Sequence, residues 1–510
     1  MEKAVSLKSQ YFILACLPLA TTATSVCADY TTDIGYEKLE AELGLITPNG
    51  SNIKVTQVEA SSPNDANPPI FAPDPNISNM EGKIFTYPGL ECTSSPCEPT
   101  DFSSHATGVA NRFYGNTSSI SNGITDIHSY EANQWLSALS TASVRVAPTD
   151  RRIANHSWVG YDNSNDSESA LLRQVDRQVD MNEYIQIAAT TGQPLISSAY
   201  NVIAVGLTNS TNNFSTGNID SFYPAGRVRP DIVAPASVVS TATPTVAAAT
   251  ALLVETGHNQ PDLSLGSRVV NGVGTIYNAE RAETIKAILM AGADRHTANT
   301  SGYGDISDYG DQQHQTANGL DSRYGAGQID IYNSYQILTG GEQNSLQDNG
   351  FSTSEIGMTG FDYDASFGGA NNSNDLAIYS FSTDANETLR AALVWNANVT
   401  NNREMSLSLP HMQLSLIDVT NGSDNLLITS QSLIDNTQNI FWQALIGGHD
   451  YELRVSPLGS TPFEWDYALA WHRSINTAPV PVPAAFWLFG SAFALFFGWQ
   501  RQRPSEKLLG

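Results

Sequence analysis

From Asp29 to about Ile337, short apolar runs alternate with helical patterns, and this alternation constrains the fold more than any other feature. Strands separated by helices are joined by crossovers, which places them in a parallel sheet with helices packed on it. Ile53–Val58, Arg152–Trp158, Tyr184–Ala188 and Asn201–Val205 read as strands, and Thr284–Ala291 reads as a buried helix. Beyond about Gly340 the pattern becomes strict alternation. Leu389–Trp395, Met412–Leu416, Tyr451–Val455 and Tyr467–Trp471 predict half-buried strands of an antiparallel sandwich. The stretch between, GGEQNSLQDNG from Gly340 to Gly350, is polar and glycine-containing, as a linker would be. The expected fold class is α/β: a parallel sheet flanked by helices over residues 29–340, then a smaller antiparallel β-sandwich over 345–474.

Both ends of the 510-residue chain carry targeting patterns. Lys3 and Lys8 precede an apolar run from Tyr11 to Ala20, and the small residues around Val26-Cys27-Ala28 close it. Residues 1–28 therefore read as a secretory signal peptide cut after Ala28. Cleavage leaves Cys92 and Cys97, which in an exported chain most simply form one local disulfide. At the other end, Val482–Trp499 is an uncharged run of 18 residues followed by Arg501 and Arg503. That is just long enough to span a bilayer, with the arginines on the cytoplasmic side. It follows the stiff Pro479-Val-Pro-Val-Pro483, and the order of proline-rich signature, apolar span and basic end resembles the PEP-CTERM sorting signals of Gram-negative bacteria. The resemblance implies removal of the 475–510 tail by an exosortase-type enzyme, in the cell envelope or outside the cell. A plain C-terminal anchor is the alternative.

Acidic residues outnumber basic ones by 51 to 25, for a net charge of −26. Phosphate backbones would be repelled by such a chain, so nucleic acid is not an expected partner. Apolar residues at 41% and charged ones at 15% fit a globular body with a solvated acidic surface.

Three stretches carry candidate chemistry. In ASVVSTATPTVAAATALL, Ser240 opens an alanine-rich helix in which Ala242, Ala247, Ala248 and Ala251 permit close approach to other elements. A serine in the first turn sits among free backbone N–H groups at the positive end of the helix dipole, where an oxyanion would be stabilised. Upstream, Ser104-His105-Ala-Thr-Gly-Val-Ala110 places a histidine at the start of another small-residue helix. Earlier still, the strand Val55-Thr-Gln-Val58 ends on Glu59. Acid, histidine, serine is one of the chain orders in which a Ser-His-acid triad occurs.

Over about residues 53–335 these motifs resemble the subtilisin-like serine proteases, the subtilase or peptidase S8 family. The nucleophile block Val238-Val-Ser-Thr-Ala-Thr-Pro-Thr-Val-Ala-Ala248 is similar to the family's Gly-Thr-Ser-Met-Ala-Thr-Pro-His-Val-Ala-Gly. This register selects Ser240 and leaves Ser237 outside. Arg229-Pro-Asp-Ile-Val-Ala-Pro235, Asn201-Val-Ile-Ala-Val-Gly206 and Arg323-Tyr-Gly-Ala-Gly-Gln-Ile-Asp330 resemble further family segments, and His105-Ala-Thr-Gly-Val-Ala-Asn111 resembles the histidine block. The resemblance implies Ser240 as nucleophile, His105 as general base and a carboxylate behind it. It also implies protein or peptide substrates, and structural Ca2+ without locating a site; no other cofactor is expected.

The chain departs from the family at defined points. Glu59 stands where the family has aspartate, one methylene longer, with Asp65 as the next acid. The asparagine that supplies an oxyanion donor is replaced by Thr191, or by Thr190 with a one-residue slip, after Ile187-Ala-Ala. Pro235 lies only five residues before Ser240, and His156-Ser157-Trp158 falls where the family runs a strand beside its substrate. About 25 residues between Ala28 and the first strand are too few for an inhibitory prodomain. The expected function is a secreted serine endopeptidase using Glu59, His105 and Ser240, with Thr191 as oxyanion donor. The alternative is a catalytically weak or inactive scaffold serving adhesion to a cell surface or extracellular matrix.

Overall fold

Seven short strands pair in parallel to form the central sheet: β1 (Val55–Glu59), β2 (Ile84–Thr86), β3 (Asp126–Glu131), β4 (Ile153–His156), β5 (Ile185–Ala189), β6 (Ile203–Leu207) and β7 (Ile232–Ala234). Their order across the sheet is β2-β3-β1-β4-β5-β6-β7. The computed structural model describes residues 30–61, 68–90, 98–141, 149–160, 165–192, 195–209, 211–212, 214–347, 355–368, 374–400, 404–459 and 463–476. The expected signal peptide, Asp65, Cys92 and Cys97, and the apolar span 482–499 lie outside these residues. Among the described residues no helix is long and apolar enough to cross a membrane.

The central strands of the sheet are covered on both faces. Every residue of β1, β4 and β5 is buried. Alternate side chains enter different cores. Val55 and Ile187 join one core, with residues of helices α2 (Ser104–Tyr114) and α5 (Val239–Asn259). Val58 and Ala188 join another, with α3 (Ala132–Thr141) and α4 (Asn165–Asn182). A shorter helix, α1 (Tyr36–Leu43), precedes β1.

Helix α5 packs across β4, β5, β6 and β7 and against α2. From Ala242 to Gly257 every one of its residues is buried. Helices α6 (Ala282–Gly292) and α7 (Ile331–Thr339) complete this layer, and α6 is likewise buried throughout. The reason lies in the second half of the chain, whose strands press on the other side of α6.

That half is a β-sandwich of two four-stranded antiparallel sheets. Its strands are β8 (Thr359–Phe367), β9 (Ala377–Ser382), β10 (Glu387–Val394), β11 (Met412–Asp418), β12 (Asn425–Ser430), β13 (Thr437–Leu445), β14 (Asp450–Pro457) and β15 (Trp465–Ile475). One sheet runs β8-β15-β10-β13 and the other β9-β14-β11-β12. Trp395, Trp471, Tyr379 and Tyr451 fill the space between them. The outer face of the first sheet lies on α6, so Phe361, Ala392, Val394, Ala468 and Ala470 belong to the same core as the helices. The polar stretch after Gly340 is knitted in as well: Glu342 N–H donates to the Leu263 carbonyl at 2.9 Å, and Gln343 N–H to that of Phe361 at 2.8 Å.

Asp231, just before β7, ties these layers together electrostatically. Its Oδ2 accepts the Ala204 N–H at 2.8 Å and lies 3.2 Å from Lys286 Nζ on α6. Lys286 also donates to the Val202 carbonyl at 2.8 Å. Burial holds the Lys286 ammonium below the ordinary lysine pKa, and Asp231 opposes that shift. Removing one member of a buried, hydrogen-bonded ion pair leaves the other uncompensated. Asp231→Ala should therefore lower stability by about 3–5 kcal/mol in urea unfolding, and a loss below about 1 kcal/mol would show that the pair is dispensable.

Candidate active site

The C-terminal ends of parallel strands, and the N-termini of the helices that follow them, meet at one edge of the sheet. Glu59 is the last residue of β1. His105 is the second residue of α2, a helix capped by Ser103, whose Oγ accepts the Ala106 N–H at 3.2 Å. Ser240 is the second residue of α5, and α2 packs against α5. The fold thus carries the first turns of both helices to the sheet edge where β1 ends.

Glu59 and His105 are in contact. His105 Nδ1 lies 3.0 Å from Glu59 Oε2. The glutamate is fully buried, while the histidine side chain is 46% exposed. Two further side chains meet the carboxylate's surroundings. Gln57 Nε2 donates to Glu59 Oε1 at 3.0 Å and to the Ala106 carbonyl at 2.9 Å, and the Tyr114 hydroxyl donates to Gln57 Oε1. Gln57 and Glu59 are two residues apart on one strand and share a face. Neither Gln57 nor Tyr114 is among the residues picked out from sequence; the available signal was a glutamine and a glutamate at alternate positions of one short strand.

Burial raises the Glu59 pKa, opposed by its hydrogen bonds to His105 and Gln57. The hydrogen bond that His105 donates to Glu59 raises the His105 pKa above the usual histidine value, against a smaller opposing effect of burial. His156, by contrast, is fully buried, and burial lowers its pKa to about 4. Its Nε2 bonds Gln186 Oε1 at 2.6 Å, and its ring lies edge-on to Trp135 with centroids 4.6 Å apart. It is a neutral packing residue at the end of β4, and the half-buried Trp158 follows it.

Ser240 lies in the first turn of α5, and Val238, not Ser240 or the exposed Ser237, occupies the N-cap. No hydrogen bond joins Ser240 to His105 among the described residues. Since Nδ1 is turned to Glu59, Nε2 is the nitrogen left for a nucleophile, and such contacts are often longer without substrate. Thr190 and Thr191 follow β5 at the same edge. Thr190 is buried, its N–H donates to the Val205 carbonyl at 3.0 Å, and its hydroxyl has no partner among the described residues. Thr191 is half-buried. Among the described residues no group of three or more His, Cys, Asp or Glu is placed to hold a metal ion.

No protein-family model and no curated protein matches the chain by sequence. Among solved structures, the chain is similar to MycP1 with its N-terminal propeptide removed, at 12% identity over 58% of this chain and 95% of that one, with a TM-score of 0.30. It is similar to a further structure, described as the serine protease MycP1 of the type VII (ESX-1) secretion system, at 13% identity over 61% and 88% of the two chains, with a TM-score of 0.36. PliG, a periplasmic inhibitor of g-type lysozyme from Aeromonas hydrophila, overlaps 22% of this chain and 82% of its own at 10% identity and a TM-score of 0.15. Overlaps this loose carry no argument about activity.

The pair makes a direct prediction. In solution the His105 imidazole should titrate above the usual histidine value of about 6.5, and Glu59→Gln should bring it down, as read by NMR of the ring resonances. The sign follows from linkage: a histidine raised by its partner stabilises the fold below the unfolded pKa, and this is lost as pH rises through the folded one. An unshifted imidazole would mean that the contact does not persist in solution.

Proposed function

We propose that this chain is a subtilisin-like serine endopeptidase in which Ser240, His105 and Glu59 act as nucleophile, general base and orienting acid. The observation that carries this reading is the 3.0 Å contact between buried Glu59 and half-exposed His105, made on a helix packed against the one that Ser240 opens. As Ser240 Oγ bonds to the scissile carbonyl carbon, its proton passes to His105 Nε2. The proton is then given to the leaving amine as the peptide C–N bond breaks. Water repeats the sequence on the acyl-enzyme, releasing the acid and restoring the serine. Glu59 holds the Nδ1–H tautomer and stabilises the transient imidazolium.

The developing oxyanion would meet the free backbone N–H groups of the first turn of α5, together with a threonine hydroxyl after β5. Thr191 is the assigned donor, as the half-buried member of the pair. Export through residues 1–28, sorting and exosortase-type trimming of the 475–510 tail, and protein substrates outside the cytoplasm complete the reading. The alternative, a surface or matrix adhesion protein built on an inactive scaffold, is favoured by the departures at Glu59 and Thr191.

A fluorophosphonate probe separates the two. The wild-type protein should be labelled at Ser240, and Ser240→Ala should lose the label and reduce peptide-hydrolysis turnover by about 10⁴-fold or more. A folded, unlabelled wild type would end the hydrolase reading. Because His105 must be neutral to accept a proton, turnover should rise with pH through a value above about 6.5, the usual histidine pKa. An acid limb below that value would remove His105 from the base role.

A further inference from the structure

Glutamate is an awkward orienting acid. Its extra methylene adds a rotatable bond, so its carboxylate can swing where an aspartate's is fixed by the strand, and restricting such a side chain costs entropy. In this chain both carboxylate oxygens are engaged by different groups. Oε2 faces His105 Nδ1 at 3.0 Å, and Oε1 accepts Gln57 Nε2 at 3.0 Å. The second Gln57 Nε2 proton reaches the Ala106 carbonyl at 2.9 Å, one residue beyond His105. Tyr114, the last residue of the same helix, donates its hydroxyl to Gln57 Oε1.

This set of partners permits a single orientation of the amide. A flip would point Gln57 Oε1 at a carboxylate and a carbonyl, two groups that only accept. Gln57, Glu59 and Tyr114 are all completely buried, so no water competes for these bonds. The amide therefore ties three things together: the free oxygen of the acid, the first turn of the helix that carries the base, and the far end of that helix.

Resting on the protease reading, we infer that Gln57 is the positioning residue that makes a glutamate usable as the third member of the triad, with Tyr114 holding its amide in the working orientation. Gln57 touches neither substrate nor the reacting atoms. It acts through Glu59 by fixing the carboxylate plane so that Oε2 meets His105 Nδ1, and through Ala106 by holding the helix start against that carboxylate.

Two variants test this. Gln57→Leu keeps an apolar body of similar size but removes the donor. Tyr114→Phe keeps the ring and removes only the hydroxyl that orients the amide. In Gln57→Leu, kcat should fall by about tenfold or more while KM stays within about twofold, and the His105 NMR titration should move down toward the usual histidine value. Tyr114→Phe should show smaller changes in the same directions. A purely structural role would instead lower the melting temperature and leave kcat and the His105 titration where they were. Unchanged His105 titration in folded Gln57→Leu overturns the inference, as does unchanged kcat in an active enzyme; should Gln57→Leu not fold, Tyr114→Phe decides by the same two readings. If the wild type hydrolyses no peptide and takes no fluorophosphonate, the protease reading fails, while the titration arm still decides whether Gln57 sets the Glu59–His105 pair.

Discussion

Much of the molecule depends on one constraint: α5 has no solvent-facing side between Ala242 and Gly257. A helix buried all round needs side chains small enough to admit neighbours on every face and polar groups that satisfy themselves. The alanines meet the first need. The threonines meet the second by bonding back to carbonyls one turn earlier, Thr245 to Thr241 at 3.0 Å, Thr250 to Val246 at 2.9 Å and Thr256 to Leu252 at 2.8 Å. Near its end, Gly257 lets the helix approach the turn at Ala279: a Cβ there would lie 3.1 Å from the Ala279 carbonyl carbon. Glu255, beside it, accepts the backbone N–H groups of Asn49 and Gly50 at 2.7 and 2.6 Å, docking the segment that leads into β1. The sheet, the α6 layer and the N-terminal segment are thus all referenced to one rod, and the beginning of that rod is Ser240.

This arrangement explains what could be read from sequence and what could not. The strands at Val55–Glu59, Ile185–Ala189 and Ile203–Leu207 were legible because β-branched residues recur in each: Val55, Thr56 and Val58, Ile185 and Ile187, Ile203 and Val205. Strand Asp126–Glu131 was not, since half of its positions are only partly buried and its composition, DIHSYE, is that of a loop. Helix Asn165–Asn182 escaped for the opposite reason: it is strongly polar, yet Gln174, Asp176 and Arg177 are buried. The apolar residues Leu171, Leu172, Val175 and Val179 keep a helical spacing, but they are few among the polar ones that surround them. The stretch after Gly340 read as a linker from composition alone, although its first residues are bonded to both halves of the chain. In the site, Glu59, His105 and Ser240 could be named because they sit in short motifs. Gln57 and Tyr114 could not, because what singles them out is a hydrogen bond across 57 positions of sequence.

Two histidines near the same edge show how the partner determines the chemistry. Both follow or face buried strand ends, but His105 meets a carboxylate and His156 meets an amide. An amide oxygen can accept one imidazole proton without supplying charge, so burial dominates and His156 stays neutral at any ordinary pH, with a pKa of about 4. A carboxylate supplies the charge that an imidazolium needs, and His105 keeps enough exposure to exchange protons with what binds there. The difference between a packing residue and a candidate base is thus set by one side chain on the adjoining strand, not by the histidine.

The proline inside α5 bears on Ser240 in a related way. Pro244 has no N–H, so the carbonyl four residues earlier, that of Ser240, has no ladder partner. Ser240 is also in the first turn, where backbone N–H groups have no carbonyl to meet within the helix. Both backbone groups of this residue therefore stand outside the helical ladder. The turn is nonetheless held on either side: Thr241 and Ala242 N–H donate to the Val238 carbonyl at 3.0 and 3.2 Å, and the Thr243 hydroxyl bonds the Val239 carbonyl at 2.8 Å. The Thr-Pro pair after the serine thus combines two effects that a plain alanine helix would lack. The Thr243 hydroxyl adds a bond to the Val239 carbonyl, and Pro244 leaves the Ser240 carbonyl without its ladder donor, while the Ser240 N–H is left free by its place in the first turn. A fixed frame around an uncommitted N–H is what an oxyanion site requires, because a donor already satisfied within the helix would have to break that bond at the moment of reaction.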